Sequence, residues 1–224
     1  MLADGSIIRA MSTFFSSDNE LLRAEIAAAA ARMIAEDGVD YATAKRKAAK
    51  QILGNNKVRG DVLPDNAQVE DEVRLYNELF FGETQPARLL DLRQLAVRVM
   101  EELAEFKPHL TGAVLNGTAG EHSDIYLQLF ADSPKEVEVF LMNRNIDFDV
   151  SETPHFNGRD DAVETLSFMW GAEGVHLAVY ELDDLRGAVK KSASGQRERA
   201  DLAAVRTLIA ESMAIAPTDP ENPA

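Results

Sequence analysis

The spacing of apolar residues changes near residue 110 of this 224-residue chain. Before that point apolar positions recur roughly every three to four residues, as they do along one side of an α-helix. After it they alternate with polar positions, as they do in a half-buried β-strand. The pattern predicts an α+β fold in which an N-terminal helical region precedes a mixed β-sheet with flanking helices.

Four helices are predicted in the first half of the chain. Ser17 and Asp18 have the chemistry of an N-cap for the first of them, and Gly38 supplies the left-handed residue that ends it. Asp40 is predicted to cap the second helix in the same way. Pro86 suits the first turn of the fourth, and Pro108 stops it. The predicted helices cover residues 19–36, 41–53, 66–81 and 86–107, and we expect them to pack as a bundle.

Short strands dominate the second half. The segment GAEG separates two alternating runs and therefore predicts an antiparallel hairpin. The predicted strands are residues 111–116, 123–131, 146–150, 162–170 and 175–182, with helices over 134–145 and after Asp201. By composition the chain divides into a flexible N-terminus (1–17), a helical domain (18–107), an α/β domain (108–189), a linker (190–200), and a C-terminal helix with a disordered tail (201–224).

Composition narrows the cellular setting. The chain has no cysteine, which excludes disulfides and thiolate metal sites and fits a reducing compartment. The first residues lack a basic region and a long apolar core, and no run reaches the roughly 20 apolar residues that cross a bilayer. A cytoplasmic protein without membrane contact is expected.

The formal charge of −15 repels phosphate backbones and argues against nucleic acid as a partner. One segment, residues 41–60, is positively charged, because it carries basic residues and no acid. A solvated helix face that pairs with acidic helices and an anion or RNA contact both fit it. The basic residues are Lys45, Arg46, Lys47, Lys50, Lys57 and Arg59.

Turn glycines, an isolated acid and strand periodicity coincide between His109 and Asp149. Gly117 and Thr118 end the first predicted strand, and Ser123 and Asp124 open the next, which continues Ile-Tyr-Leu. This run resembles the signature of the nucleotidyltransferase superfamily, in which Gly-Ser ends one strand and a Ser-Asp-Ile-Asp-Leu strand follows. The resemblance covers residues 110–150.

The resemblance implies a role for each matching residue. Gly117, Thr118 and Ser123 would contact the phosphates of a nucleotide, and Asp124 would be catalytic and bind magnesium. Tyr126 stands where the family has its second aspartate. Asp147 and Asp149 share one face of a later predicted strand, so three carboxylates would converge if that strand neighboured Asp124. Asp149 would then be catalytic, and both aspartates would be metal ligands.

The resemblance leads to two functional hypotheses, and a third, RNA binding, rests on the basic segment at residues 41–60. One is magnesium-dependent transfer of a nucleoside monophosphate to an acceptor. The other, supported by Tyr126, is a catalytically inactive module for nucleotide sensing or for protein interaction through its helices. His122 in the glycine-bearing loop fits a phosphate contact or a base as well as an exposed loop residue. Structural roles are expected for the other histidines, which are His109, His155 and His176.

Overall fold

The computed structural model describes residues 4–54, 62–155, 162–187 and 199–215, with side chains described for residues 18–54, 62–155, 162–187 and 199–214. The fold is α+β. It divides into two compact units. The helical unit contains Met1–Glu83 and Gly120–His122, and the sheet unit contains Thr84–Ala119 and Ser123–Ala224. In the described ranges no helix is both long and apolar enough to span a membrane.

In the described part of the helical unit there are three α-helices: α1 (Asp4–Asp37), α2 (Tyr41–Leu53) and α3 (Asn66–Phe81). Asp40 caps α2 by accepting a hydrogen bond from the backbone amide of Thr43, as its sequence position predicts. Small side chains let the helices approach closely. The buried core cluster of this unit contains Ile26, Ala27, Ala30, Ala31, Ala44, Ala48, Ala49, Val62, Val69 and Val73.

The first helix is longer than the sequence predicts. It begins at Asp4, so Ser17 and Asp18 lie inside it instead of capping it, and the backbone of residues 4–17 is helical where a flexible segment was expected. Each serine or aspartate disfavours a helix interior by only about 0.5 kcal/mol relative to alanine, and no proline interrupts the run. A capping residue type therefore does not by itself start a helix.

Five strands form the sheet, in the order β1-β2-β5-β4-β3. The central neighbours β2 and β5 are parallel, and the other neighbouring pairs are antiparallel. The hairpin of β4 and β5 is the one that the GAEG segment predicts. The strands are β1 (His109–Thr111), β2 (Ile125–Ala131), β3 (Asp149–Pro154), β4 (Ala162–Trp170) and β5 (Glu173–Glu181).

The described residues of the sheet unit form four α-helices: α4 (Gln85–Glu102), α5 (Gly112–Asn116), α6 (Pro134–Asn143) and α7 (Leu202–Ile215). Helix α4 was assigned to the helical domain by sequence, but its apolar stripe joins the core of the sheet unit. The unit boundary accordingly falls after Glu83 and not after residue 107. Residues of that core include Leu92, Ala96, Val99, Ile125, Leu127, Leu129, Leu141, Leu166, Leu177 and Val205.

The strand predicted at residues 111–116 is wrong over most of its length. Strand β1 ends at Thr111, and Gly112 then takes φ 68°, which turns the chain into the short helix α5. An apolar run of this length is compatible with either a strand or one helical turn, so periodicity could not separate the two. The strand predicted at residues 146–150 begins instead at Asp149.

The predicted linker is described only at its end. Residues 190–198 and the tail beyond residue 215 lie outside the described residues. Ala200, the last predicted linker residue, is buried and forms a two-way backbone pair with Leu110, with N–O distances of 2.8 and 2.9 Å. The chain is therefore anchored to β1 just before α7 begins.

Candidate functional site on the sheet face

Asp124 reaches a histidine on the neighbouring strand. Because β2 and β5 are parallel and Ile125 pairs with Val175, Asp124 lies opposite Gly174. A Cβ on Gly174 would come within 2.7 Å of the Asp124 Cγ, so only glycine leaves room for this carboxylate. Two residues along, on the same face of β5, the Nε2 of His176 lies 3.1 Å from the Asp124 Oδ2.

The His176 ring is held from both of its nitrogens. Its Nδ1 lies 2.8 Å from the hydroxyl oxygen of Ser167, the paired residue on β4. The carboxylate of Asp124 can only accept a hydrogen bond. In a neutral imidazole Nε2 therefore carries the hydrogen, and Nδ1 accepts from the Ser167 hydroxyl. The result is a continuous hydroxyl, imidazole and carboxylate line across three strands, which can relay a proton.

Tyr126 completes the arrangement from the other side of His176. The two residues are partners in the β2–β5 register, and their rings stack with centroids 4.6 Å apart at 19°. Tyr126 is 47% exposed. We name Asp124, Tyr126, Ser167 and His176 the sheet-face site. It offers an aromatic surface beside polar groups, open to solvent.

An ion pair anchors the start of β5 close to the sheet-face site. The two terminal nitrogens of the Arg88 guanidinium, Nη1 and Nη2, donate to the two carboxylate oxygens of Glu173, at 2.7 and 2.6 Å. The hydrogen bonds from Arg88 lower the pKa of Glu173. Because Glu173 immediately precedes Gly174, this pair fixes the backbone over which Asp124 lies.

The predicted magnesium ligands do not converge. Asp149 lies in the same row across the sheet as Ser167, His176 and Tyr126. However, β4 and β5 separate its strand from β2, a distance of three strand spacings or about 14 Å. Asp147 is exposed and precedes the strand.

Carboxylates supply most protein ligands of magnesium, and at this site the Asp124 carboxylate is accompanied by an imidazole and a phenol ring instead of further carboxylates. Among the described residues no group of three or more histidine or acidic side chains could hold a metal ion. The donor set therefore does not fit the two-ion arrangement of the family.

The backbone amides of the predicted phosphate-binding turn are hydrogen-bonded within the protein. Gly117 takes φ 87° and ends α5 as a left-handed cap. The backbone amides of Gly117, Thr118 and Ala119 all donate to the carbonyl of Ala113, at 3.0 to 3.1 Å. Thr118 is buried, and its hydroxyl donates to the Asn116 side chain at 2.6 Å. All three amides already have an acceptor, so the turn serves the fold.

Two long side chains hold this turn in place. Arg93 donates to the carbonyls of Val114 and Leu115, and burial lowers its pKa. The amide nitrogen of Gln85 donates to the carbonyls of Gly117 and Ala119, at 3.1 and 2.7 Å. These donors satisfy carbonyls that the end of a short helix leaves without partners.

The remaining predicted residues lie apart from the sheet-face site or at its border. Ser123 is half-buried and directly precedes Asp124. His122 belongs to the helical unit, where its Cβ packs against Gly38. In the basic segment, Lys45 donates to the Asn66 side chain at 2.8 Å, whereas residues 57 and 59 are outside the described part of the chain.

Sequence analysis missed two members of the site, His176 and Ser167. The predicted hairpin could have indicated their proximity, because a turn with an even number of residues between the two strands lets these residues pair on one face of the sheet. The pairing of β5 with β2 had no such signal, since the two strands are about fifty residues apart along the chain.

Comparison of the chain with protein-family models, with curated proteins and with solved structures found no match.

Proposed function

We propose that this chain is a nucleotidyltransferase-like protein that binds a nucleotide on the sheet-face site without a metal ion and does not transfer it. The observation that carries the proposal is the bond between Asp124 and His176, with the Tyr126 ring stacked on the imidazole. Asp124, one of the three aspartates predicted as magnesium ligands, is thus hydrogen-bonded to an imidazole. Tyr126 itself provides no carboxylate.

The aromatic surface supports a base-binding role. A nucleobase stacks on an exposed tyrosine ring with a gain of about 1–3 kcal/mol, whatever the base. Ser167 and Asp149 lie farther along the same row and supply a hydroxyl and a carboxylate for base edges or ribose hydroxyls. Recognition would then depend on stacking and hydrogen bonds and would not need magnesium to neutralise phosphates.

A nucleotide titration tests binding. The four common nucleoside triphosphates and the corresponding nucleosides are titrated by calorimetry with and without magnesium. We expect magnesium-independent binding that Tyr126→Ala weakens about tenfold, since that factor corresponds to about 1.4 kcal/mol of lost stacking. Tyr126→Phe keeps the ring and is the matched control. Equal affinity in Tyr126→Ala and the wild type would refute the site.

A transfer assay tests the enzymatic alternative. Magnesium-dependent transfer by Asp124, with Asp147 or Asp149, remains a prediction. Radiolabelled nucleotides are incubated with the chain, magnesium and candidate acceptors, alongside the Asp124→Ala variant. Saturable labelling that disappears in Asp124→Ala would establish the enzyme and overturn the non-catalytic proposal. Absence of labelling together with retained nucleotide binding is the result that we expect.

Protein interaction through the helical unit stays a second candidate. Helix α3 exposes Leu75, Leu79 and Phe80, with exposed fractions of 49, 67 and 65%. Large apolar side chains grouped on one exposed helix are typical of partner-binding surfaces. A cytoplasmic location, which the absence of cysteine favours, and the absence of nucleic-acid partners belong to the same proposal.

A further inference from the structure

The Tyr126 ring of the sheet-face site has an open space on one side. The His176 imidazole stacks on the side towards β5, with centroids 4.6 Å apart. On the side towards β1 lies Gly112, which follows Thr111, the β1 partner of Tyr126. A Cβ built on Gly112 would lie 3.9 Å from the Tyr126 Cβ and Cδ2 and, apart from its chain neighbours, would meet no other described residue within 4 Å. A flat group can therefore lie against the ring on that side.

The Asp124 carboxylate lies at the same end of β2 as this open space. Asp124 is two residues from Tyr126 along an extended chain, so their Cα atoms are about 7 Å apart, and both side chains contact His176. The Asp124 side chain is 44% exposed. Its Oδ2 accepts from His176, and among the described residues no donor contacts Oδ1. One acceptor oxygen of an exposed carboxylate is therefore not used by the described protein groups.

No lysine or arginine belongs to the described sheet-face site. The row across the sheet that contains Tyr126 has one acid of its own, the exposed Asp149. Arg88 lies near the start of β5, but its guanidinium is ion-paired with Glu173. With His176 neutral, the net charge of the site is negative. Such a surface attracts a cation more strongly than an anion.

An aromatic ring beside a carboxylate has a preference for flat cations. The face of a phenol ring attracts a positive charge placed within about 6 Å of its centroid. A neutral nucleobase stacks on such a ring whatever its identity. A base that is positively charged at neutral pH, such as one methylated on a ring nitrogen, gains the cation–π attraction and the attraction of the carboxylate in addition.

We propose that the sheet-face site selects nucleosides whose base is positively charged, with the base stacked on the open side of the Tyr126 ring and its charge near the Asp124 carboxylate. This inference rests on the proposed nucleotide function and names the class of base that the site prefers. It concerns the charge of the base and assigns no role to the phosphates.

Calorimetry on the full chain tests the proposal with two nucleosides that differ in the position of one methyl group. At neutral pH the base of 1-methyladenosine is positively charged, whereas that of N⁶-methyladenosine is neutral. Titration at about 150 mM salt screens weak binding to the acidic surface. We expect 1-methyladenosine to bind about tenfold more tightly, which corresponds to about 1.4 kcal/mol.

Asp124→Asn should reduce this preference to about threefold, because it removes the carboxylate charge and leaves the aromatic ring. Its affinity for N⁶-methyladenosine should stay within about twofold of the wild type, which shows that the variant is folded and that the ring still stacks. Asp91→Asn is the matched control, because it removes one acid from an exposed position of α4 outside the site. Its preference should equal that of the wild type.

The outcomes separate this inference from the proposed function. Equal affinities of the two nucleosides for the wild type would overturn the inference and leave the nucleotide function standing. No binding of either nucleoside would overturn both. A preference that falls equally in Asp91→Asn and in Asp124→Asn would also overturn the inference, because it indicates attraction to the acidic surface only.

Discussion

A histidine bonded to an aspartate lies near each end of strand β5, and the two pairs differ in solvent exposure. At the amino end the Asp124 and His176 side chains are 44% and 25% exposed, and at the carboxyl end His155 and Asp184 are both 6% exposed. The bond lengths are nearly equal, at 3.1 and 3.2 Å. The bond length therefore does not distinguish the two pairs, but their solvent exposure does.

The two pairs differ in solvation. The exposed Asp124–His176 pair is screened by water and contributes little to stability. The His155 and Asp184 side chains are each only 6% exposed, so water replaces a lost partner less readily there. A tyrosine ring accompanies each pair, stacked and exposed as Tyr126 at one end and buried as Tyr180 at the other.

Removing the aspartate of each pair should give the largest contrast. We expect Asp184→Ala to lower the free energy of unfolding by about 3 kcal/mol, because it leaves His155 buried without that acceptor. Asp124→Ala should cost less than about 1 kcal/mol. Urea denaturation measures both. Asp183→Ala, at the exposed neighbour, is the control and should change stability by less than about 0.5 kcal/mol. An equal loss of unfolding free energy in Asp184→Ala and Asp124→Ala would contradict the expected difference between the buried and the exposed pair.

A smaller effect is expected from crowding the exposed pair. Gly174→Ala places a methyl group against the Asp124 carboxylate and should cost about 2 kcal/mol through overpacking. The double variant with Asp124→Ala should recover most of that loss, since the obstructing carboxylate is gone. A double-mutant cycle from denaturation curves measures the coupling. Additive costs would mean that the two groups do not interfere.

The smallest effect concerns pH at the carboxyl end. Burial raises the pKa of Glu164 above its ordinary value of 4.5, so the folded state holds its proton at pH values where the unfolded state has released it. Stability should therefore fall as pH rises from 4.5 through the raised value, and Glu164→Gln should remove this slope.

Glu173 provides the opposite trend at the amino end of β5. Arg88 lowers the pKa of Glu173, so its stabilising contribution is present above pH 4.5 and is lost as pH falls through the lowered value. Urea denaturation across pH compares the wild type with Glu164→Gln and with Glu173→Gln. A loss of stability with rising pH that persists in Glu164→Gln would assign the effect to another group.

The sequence alone determined most of the local structure. Apolar periodicity predicted helices α2, α3 and α6 and the β4–β5 hairpin, because an amphipathic face depends only on residues that are close together in the sequence. The motif around Asp124 also directed attention to a residue that lies in the sheet-face site. Ambiguity arose where an apolar run was short, as at residues 111–116, and where a capping residue occurred inside a longer helix, as at Asp18.

Only the tertiary structure decided which strands are neighbours. The order β1-β2-β5-β4-β3 brings His176 beside Asp124 and moves Asp149 to the far edge of the sheet. Strand pairing is a choice among distant segments that depends on how helices cover the sheet, and period-two alternation carries no information about it. The tertiary structure also places Glu152 of β3 opposite Glu164 of β4, two acids that a pattern within either strand does not predict to be neighbours.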